Sequence, residues 1–197
     1  MTTELLTKRL LLRRFRESDW RALHAILADE KVTRYIPAGA SGGEETREWV
    51  RFLVHAHRAQ PPRYDFAVEL RPPGGGSEGA DSAESGLIGS CWLTARHDES
   101  RQGELGYIFA HSHWGRGYAT EAARAVLRYG FTELDLHRIY ATCRPANIAS
   151  WRVMEKLGMR REGHLVEHRW MKERWQDSYL YAILDHEWRA LDREQQE

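Results

Sequence analysis

Two hydrophobic rhythms alternate along the chain. Leu5 to Phe15, "YDFAVEL" (Tyr64–Leu70), "GLIGSCWLTAR" (Gly86–Arg96), "GELGYIFA" (Gly103–Ala110), "HRIYATCRP" (His137–Pro145), "GHLVEHRW" (Gly163–Trp170) and "SYLYAILDHEW" (Ser178–Trp188) are compact apolar runs of strand length. Between them the period lengthens. "ESDWRALHAILADE" carries Trp20, Leu23, Ala25, Ile26 and Leu27 at helical spacing behind a capping Ser18 or Asp19. Glu44 to Arg58 carries Trp49, Phe52 and Leu53 on one side before Pro61-Pro62 stops it. The clearest stripe is Ala119, Ala122, Ala123, Val126, Leu127, Gly130, Phe131 and Leu134, and "IASWRVMEKLG" follows the next strand as a further helix. This order predicts a mixed α/β fold: one mostly antiparallel sheet with helices on both faces, in a single domain over residues 1–197. Residues 71–85, "RPPGGGSEGADSAES", are too poor in apolar groups to pack and are expected to form a flexible, non-functional loop.

Charge narrows the field only by exclusion. Of 197 residues, 29 are Lys or Arg and 29 Asp or Glu, so nothing in the balance favours nucleic acid or an anionic membrane. The opening "MTTELLTKRLLLRRF" has no signal-peptide apolar core, and no run is long and apolar enough to span a bilayer; a cytoplasmic protein is expected, as a monomer or a homodimer. Cys91 and Cys143 form no CxxC pair and are expected as free thiols. His55 with His57 and His111 with His113 make His-x-His pairs without a third ligand at sensible spacing, so no metal is expected.

The motif "HSHWGRGYATEAARAVLRYGF" raises the chemical question, because it places Gly115 and Gly117 directly before the clearest helix. A helix start leaves backbone N–H groups without intrahelical partners, and glycines there let the chain turn those donors toward a close ligand. Phosphate suits such a site, with Arg116 as a nearby counter-charge. Taken alone, the glycines favour a tight turn over a ligand site. GxxxxGK[ST] is absent, and the third glycine of a dinucleotide fingerprint is missing.

"GELGYIFAHSHWGRGYATEAARAVLRYGF" followed by "ANIASWRVMEKLGM" resembles the GNAT acyltransferases, and more closely the RimJ/RimL-type N-terminal acetyltransferases of ribosomal proteins. The opening "TKRLLLRRFRESDW" and the closing "DSYLYAIL" are similar to that subgroup too, so the resemblance covers most of the chain. The family's pyrophosphate pattern, Q/R-x-x-G-x-G/A, falls on Trp114, Gly115, Arg116, Gly117, Tyr118 and Ala119, with Trp114 in place of Gln or Arg. The resemblance implies that amides from Arg116 to Thr120 hold the pyrophosphate of acetyl-CoA. It also implies that backbone groups of Ile108 and Phe109 lie along the pantetheine arm, and that Asn147 and Ser150 sit against pantetheine and the thiol. By spacing alone, Asn147 and Ser150 read equally as a helix cap and its third residue.

Acyl transfer from a thioester needs a neutral amine and a proton for the departing thiolate. Deprotonating a terminal α-amine at pH 7 costs roughly 1.2 kcal/mol, against roughly 4.6 kcal/mol for a lysine. Glu104, in the strand before the glycine loop, is the expected base; an exposed strand carboxylate is the competing reading, since "GELGYIFA" leaves its facing undecided. Many GNAT enzymes use a tyrosine later in the last helix as acid, but that position here is Met154, which leaves Ser150 as the candidate acid. In the strand after this helix, Arg169 aligns where some relatives carry a catalytic glutamate, and Glu167 stands two residues earlier on the same face. Cys143 lacks the partners of a nucleophile. Tyr35 and Trp175 could line an acceptor groove by position, but aromatics are more often packing residues.

The expected activity is acetyl transfer from acetyl-CoA to a primary amine by direct attack in a ternary complex, with a protein or peptide N-terminal α-amine as first choice of acceptor. The alternatives are a small amine (polyamine, amino acid or aminoglycoside) and a non-catalytic acyl-CoA-binding module, which would keep the loop and need neither Glu104 nor Ser150.

Overall fold

In the computed structural model, residues 4–36, 42–60, 62–71, 86–96 and 99–194 are described. Eight strands form one sheet: β1 (Leu5–Leu6), β2 (Leu10–Arg14), β3 (Arg63–Leu70), β4 (Leu87–Ala95), β5 (Gln102–Phe109), β6 (Arg138–Cys143), β7 (Arg160–Met171) and β8 (Arg174–Leu184). Their spatial order is β1-β2-β3-β4-β5-β6-β8-β7, antiparallel at every neighbour except β5–β6, which run parallel. The helices are α1 (Trp20–Ala28), α2 (Glu30–Thr33), α3 (Gly43–His55), α4 (Tyr118–Thr132), α5 (Ile148–Lys156) and α6 (Asp185–Glu194).

The period of two in the strands divides the apolar residues between two clusters. Leu10, Leu12, Phe66, Val68, Leu93 and Leu105 pack with Ala122, Ala123, Val126, Leu127 and Phe131 of α4, Met154 of α5 and Trp188 of α6. Phe15, Ala67 and Leu87 pack on the opposite face with Leu23, Ile26, Val32, Val50 and Leu53 of α1 to α3. The expected layers, helices on both faces of a mostly antiparallel sheet, are therefore present. At Gly130 a Cβ would stand 2.7 Å from Ile139 and 2.8 Å from Leu93, so the absent side chain sets how closely α4 approaches the sheet.

Three local expectations are corrected. Leu5–Phe15 is two strands, because Thr7 turns the chain: its N–H donates to the Leu10 carbonyl (3.0 Å), and the Leu10 N–H donates to its hydroxyl (2.9 Å). The last strand ends at Leu184, where Glu187 Oε2 accepts the Leu184 N–H (2.8 Å) and acidic Asp185 and Glu187 open α6. The short helix α2, which the pattern did not reveal, starts where Asp29 Oδ1 accepts the Lys31 N–H. The expected helix from Glu44 keeps α-geometry to His55 and tightens to a 3₁₀ turn through Arg58. Of the expected loop 71–85, residues 72–85 lie outside the described residues.

Asp19 stands at the start of α1 and is held by the buried Arg13 guanidinium through two bonds of 2.8 Å. Burial alone would weaken the charge on Arg13, but its bonds to Asp19 and Glu69 outweigh that and raise its pKa further. Among the described residues no helix is long and apolar enough to cross a membrane.

Candidate active site

The one parallel pairing creates the site. β5 and β6 share only three register pairs, Gln102 with Arg138, Gly103 with Ile139 and Glu104 with Tyr140. Beyond Glu104 the ladder stops while β5 runs on to Phe109 and β6 to Cys143, so the two strands part and leave a cleft through the sheet.

One side of this opening is the glycine loop. Gly115 and Gly117 have φ of +73° and +80°, with Gly117 as the N-cap of α4 in the left-handed region and no side chain capping the helix. A Cβ at Gly115 would meet nothing within 4 Å, and one at Gly117 only the end of Arg9 at 3.4 Å. The glycines are there for backbone conformation, with room to spare around them. The first helical bond of α4 is from the Glu121 N–H to the Gly117 carbonyl, so the N–H groups of Tyr118, Ala119 and Thr120 precede it and face outward from the helix start. A cleft of about 280 Å³ lies before them, bordered by Ile108, Phe109, Trp114, Gly115, Gly117, Asn147 and Ser150. Outward-facing amides at one end and an apolar strand edge along its length suit a phosphate attached to an uncharged arm. Arg116, expected beside the anion, is exposed on the loop and outside this lining.

Trp114 does something the motif did not foretell. Its indole N–H donates to the Phe109 carbonyl (2.8 Å), and His111 packs edge-on against it, which fastens the loop to the end of β5. A second fastening comes from the other end of the chain. Arg9 donates to the Arg116 carbonyl (3.0 Å) and to Glu121 Oε2 (2.6 Å), and lies over the Tyr118 ring. Burial would push the Glu121 carboxyl up, but bonds from Thr7 and from the Arg9 amide and guanidinium hold it below the usual carboxylate range. Sequence reasoning passed over Arg9, because the turn that brings it here was read as continuous strand.

Across the opening stands the start of α5. Asn147 caps the helix, its Oδ1 accepting the Ser150 N–H (3.2 Å). The capping reading therefore holds, and the same residues also border the cleft. Ser150 meets Tyr107 of β5: the phenol donates to the Ser150 carbonyl (2.8 Å) and lies 3.2 Å from its hydroxyl. Burial pushes the Tyr107 phenol well above its ordinary pKa, so it keeps its proton. Sequence reasoning missed Tyr107; counting by twos from Glu104 puts residue 107 on the opposite face of the strand, the face that α4 and α5 cover. Met154 lies buried on the same helix face. Cys143 is also near, and burial pushes its thiol up to about 11, which leaves it protonated and a poor nucleophile.

The cleft continues through the sheet into a second chamber of about 190 Å³, which shares Tyr35, Ile36, Tyr107, Asn147 and Ser150 with the first. Glu104 borders this chamber, half-exposed, 3.4 Å from the Thr142 hydroxyl and 3.7 Å from the Arg169 guanidinium. Arg169 meets Glu104 and Glu167 does not border the chamber, because β7 bulges between Leu165 and Arg169 and Glu167 takes φ +48°, so the same-face spacing expected for these two residues is lost. Tyr35 borders both chambers, while Trp175 is exposed against Trp170 at the β7–β8 hairpin. The His-x-His pairs are engaged locally: His57 lies against Arg14, and His113 bonds Ser112. Among the described residues no three His, Cys, Asp or Glu gather as metal ligands.

Known proteins share this architecture. The uncharacterized N-acetyltransferase YnaD of Bacillus subtilis is 40% identical over 182 residues, 92% of this chain and 97% of its own. The solved structure of Mycobacterium smegmatis RimJ in complex with CoA-disulfide matches with a TM-score of 0.74 at 25% identity, covering 98% of this chain and 94% of that one. Vibrio cholerae spermidine N-acetyltransferase in complex with CoA and spermine matches at 0.73 and 27% identity, covering 92% of this chain and 99% of that one. Residues 9–160 match the acetyltransferase (GNAT) domain, and with that match and the 40% identity to YnaD over nearly its whole length, the chain belongs to the GNAT acetyltransferases, enzymes that take their acyl group from acetyl-CoA.

Proposed function

We propose that the protein acetylates the α-amine of a protein or peptide N-terminus, in the manner of the RimJ/RimL-type enzymes, by direct attack within a ternary complex. The observation that carries this reading is the junction of the two chambers at Tyr107, Asn147 and Ser150, which lets a donor in one chamber meet an acceptor in the other. Acetyl-CoA supplies the acetyl group already activated as a thioester. The amides of Tyr118, Ala119 and Thr120 hold its pyrophosphate, and the free edge of β5 at Ile108 and Phe109 orients its arm.

Glu104 draws the proton from the attacking amine through water, with Thr142 and Arg169 fixing its carboxylate. Ser150, backed by the phenol of Tyr107, passes its hydroxyl proton to the departing sulfur and regains one from water, while Glu104 releases the amine's proton to water; the Tyr107 proton is committed to the Ser150 carbonyl, so the serine hydroxyl is the group free to turn toward the sulfur. Glu104 facing the second chamber counts against a module that only binds acyl-CoA, which needs no carboxylate there.

A second reading, acetylation of a small polyamine, is favoured by the likeness to the spermidine enzyme. Thiol release from acetyl-CoA is the deciding measurement, with peptides of varied N-termini set against spermidine, spermine and amino acids. Faster turnover of peptides supports the first reading. Preference for spermidine replaces it with the second, and tight acetyl-CoA binding without turnover of any acceptor would overturn both.

A further inference from the structure

Beside the acceptor chamber stand donors that, among the described residues, have nothing to donate to. Arg144, in the loop after β6, has its Nε and Nη2 buried and without a hydrogen-bond partner there, and Gln176 of β8 has its amide nitrogen in the same condition. Both residues border the chamber that Glu104 faces. The third nitrogen of Arg144 reaches only the Arg34 carbonyl, at 3.5 Å. Leaving buried donors unsatisfied is costly, and more so for a charged one, so an arrangement that keeps three of them beside a cavity is built for an acceptor group that is not part of the chain.

The surrounding charges say what kind of group. Arg169 also borders the chamber and is matched by Glu104, while Arg174 lies close enough to Arg144 to act on its charge. Burial, followed by the like charge of Arg174, lowers the pKa of Arg144, partly offset by Tyr35. Among the lining residues one carboxylate stands against two guanidinium groups, leaving an excess of positive charge.

From this geometry we infer that the acceptor carries a carboxylate near its amine, and that the Arg144 fork and the Gln176 amide bind that carboxylate while the amine lies at Glu104. The inference rests on the acetyltransferase reading above and names its substrate class. A guanidinium edge presenting Nε and Nη2 matches the two oxygens of a carboxylate, and a neighbouring amide adds a third bond. Arg144 and Gln176 are specificity residues; neither touches the reacting atoms. A polycation such as spermidine is disfavoured by the same charges that draw in the carboxylate.

The test compares matched acceptors: tetrapeptides whose second residue is glutamate or glutamine, and free alanine or alaninamide. The peptide pair and the amino-acid pair separate a side-chain carboxylate from an α-carboxylate. KM and kcat are measured with acetyl-CoA, and dissociation constants by titration calorimetry on the CoA-loaded protein. In at least one pair the carboxylate member binds about 10- to 100-fold more tightly. Arg144→Gln erases that preference by raising KM with little change in kcat, Arg144→Lys restores part of it, and Gln176→Leu costs about threefold to tenfold. Affinity for CoA stays unchanged in all three variants. Equal binding within both pairs, or an Arg144→Gln loss that is the same for carboxylate and amide, overturns the inference even if the enzyme turns over. Absence of turnover with the binding preference intact leaves the inference standing and overturns the catalytic reading instead.

Discussion

The two walls of the cleft are made by different means. The wall proposed for the cofactor, from Ile108 through the loop to Thr120, is continuous in the chain and is built of backbone: two glycines at positive φ and the bare amides at the start of α4. The wall proposed for the acceptor draws Glu104 from β5, Thr142 from β6, Arg144 from the loop beyond, Arg169 from β7 and Gln176 from β8, and is built of side chains. A wall of backbone is specified by local conformational preference and tolerates changes of side chain such as Trp114. A wall of side chains depends on strand register, and one bulge in β7 decides that Arg169 meets Glu104.

Variants on the two walls should therefore fail differently. Glu104→Gln is the most severe: kcat falls about 100- to 10,000-fold and its pH dependence flattens, while calorimetry finds acetyl-CoA affinity unchanged. If rate and pH profile both survive, Glu104 is not the base. Gly117→Val gives the opposite signature. With only the end of Arg9 near a Cβ, its effect is one of backbone conformation at φ +80°, and CoA binding should weaken about 10- to 100-fold with the melting transition still cooperative. Unchanged affinity would remove the loop from the phosphate site.

At the junction of the walls the effect is smaller. Ser150→Ala should lower kcat about 10-fold, and Tyr107→Phe somewhat less, since the phenol acts through the serine. A larger loss in the tyrosine variant would make Tyr107 the proton donor.

The smallest effect belongs to the clamp behind the loop. Glu121→Gln should weaken CoA binding about twofold to fivefold. Because the carboxyl of Glu121 is held below its ordinary pKa, the clamp operates fully above the normal carboxylate range and is lost as pH falls through the depressed value. The CoA affinities of wild type and variant, measured against pH, should converge on acidification. Parallel curves would show that Arg9 holds the loop without Glu121.

Legibility in the sequence followed the same division. The α4 stripe, the glycines, the Asn147 cap and the alternation of strands and helices are written in neighbouring residues. The turn at Thr7–Arg9 was harder to see, since a polar triplet within a leucine run matches a strand until the Thr7 hydroxyl is seen bonding Leu10. Tyr107 escaped notice because the strand alternates poorly in hydrophobicity, and parity set it only opposite Glu104, whose own facing the pattern left undecided. Arg144 left no trace at all: an arginine after a strand looks solvated until the fold brings the Arg34 carbonyl to one of its nitrogens, sets Arg174 nearby and buries the other two nitrogens.

By itself, the sequence determined the layers of the fold and the place of the glycine turn before α4, because helical periodicity and glycine conformation are properties of residues a few positions apart. Tertiary structure alone decided where β5 and β6 part, which side chain faces Glu104, and that Arg144 and Gln176, both beside the second chamber, hold buried donor nitrogens without partners among the described residues. Those features join segments that lie far apart in the chain, and pairing register, a bulge and burial exist only once the sheet has formed.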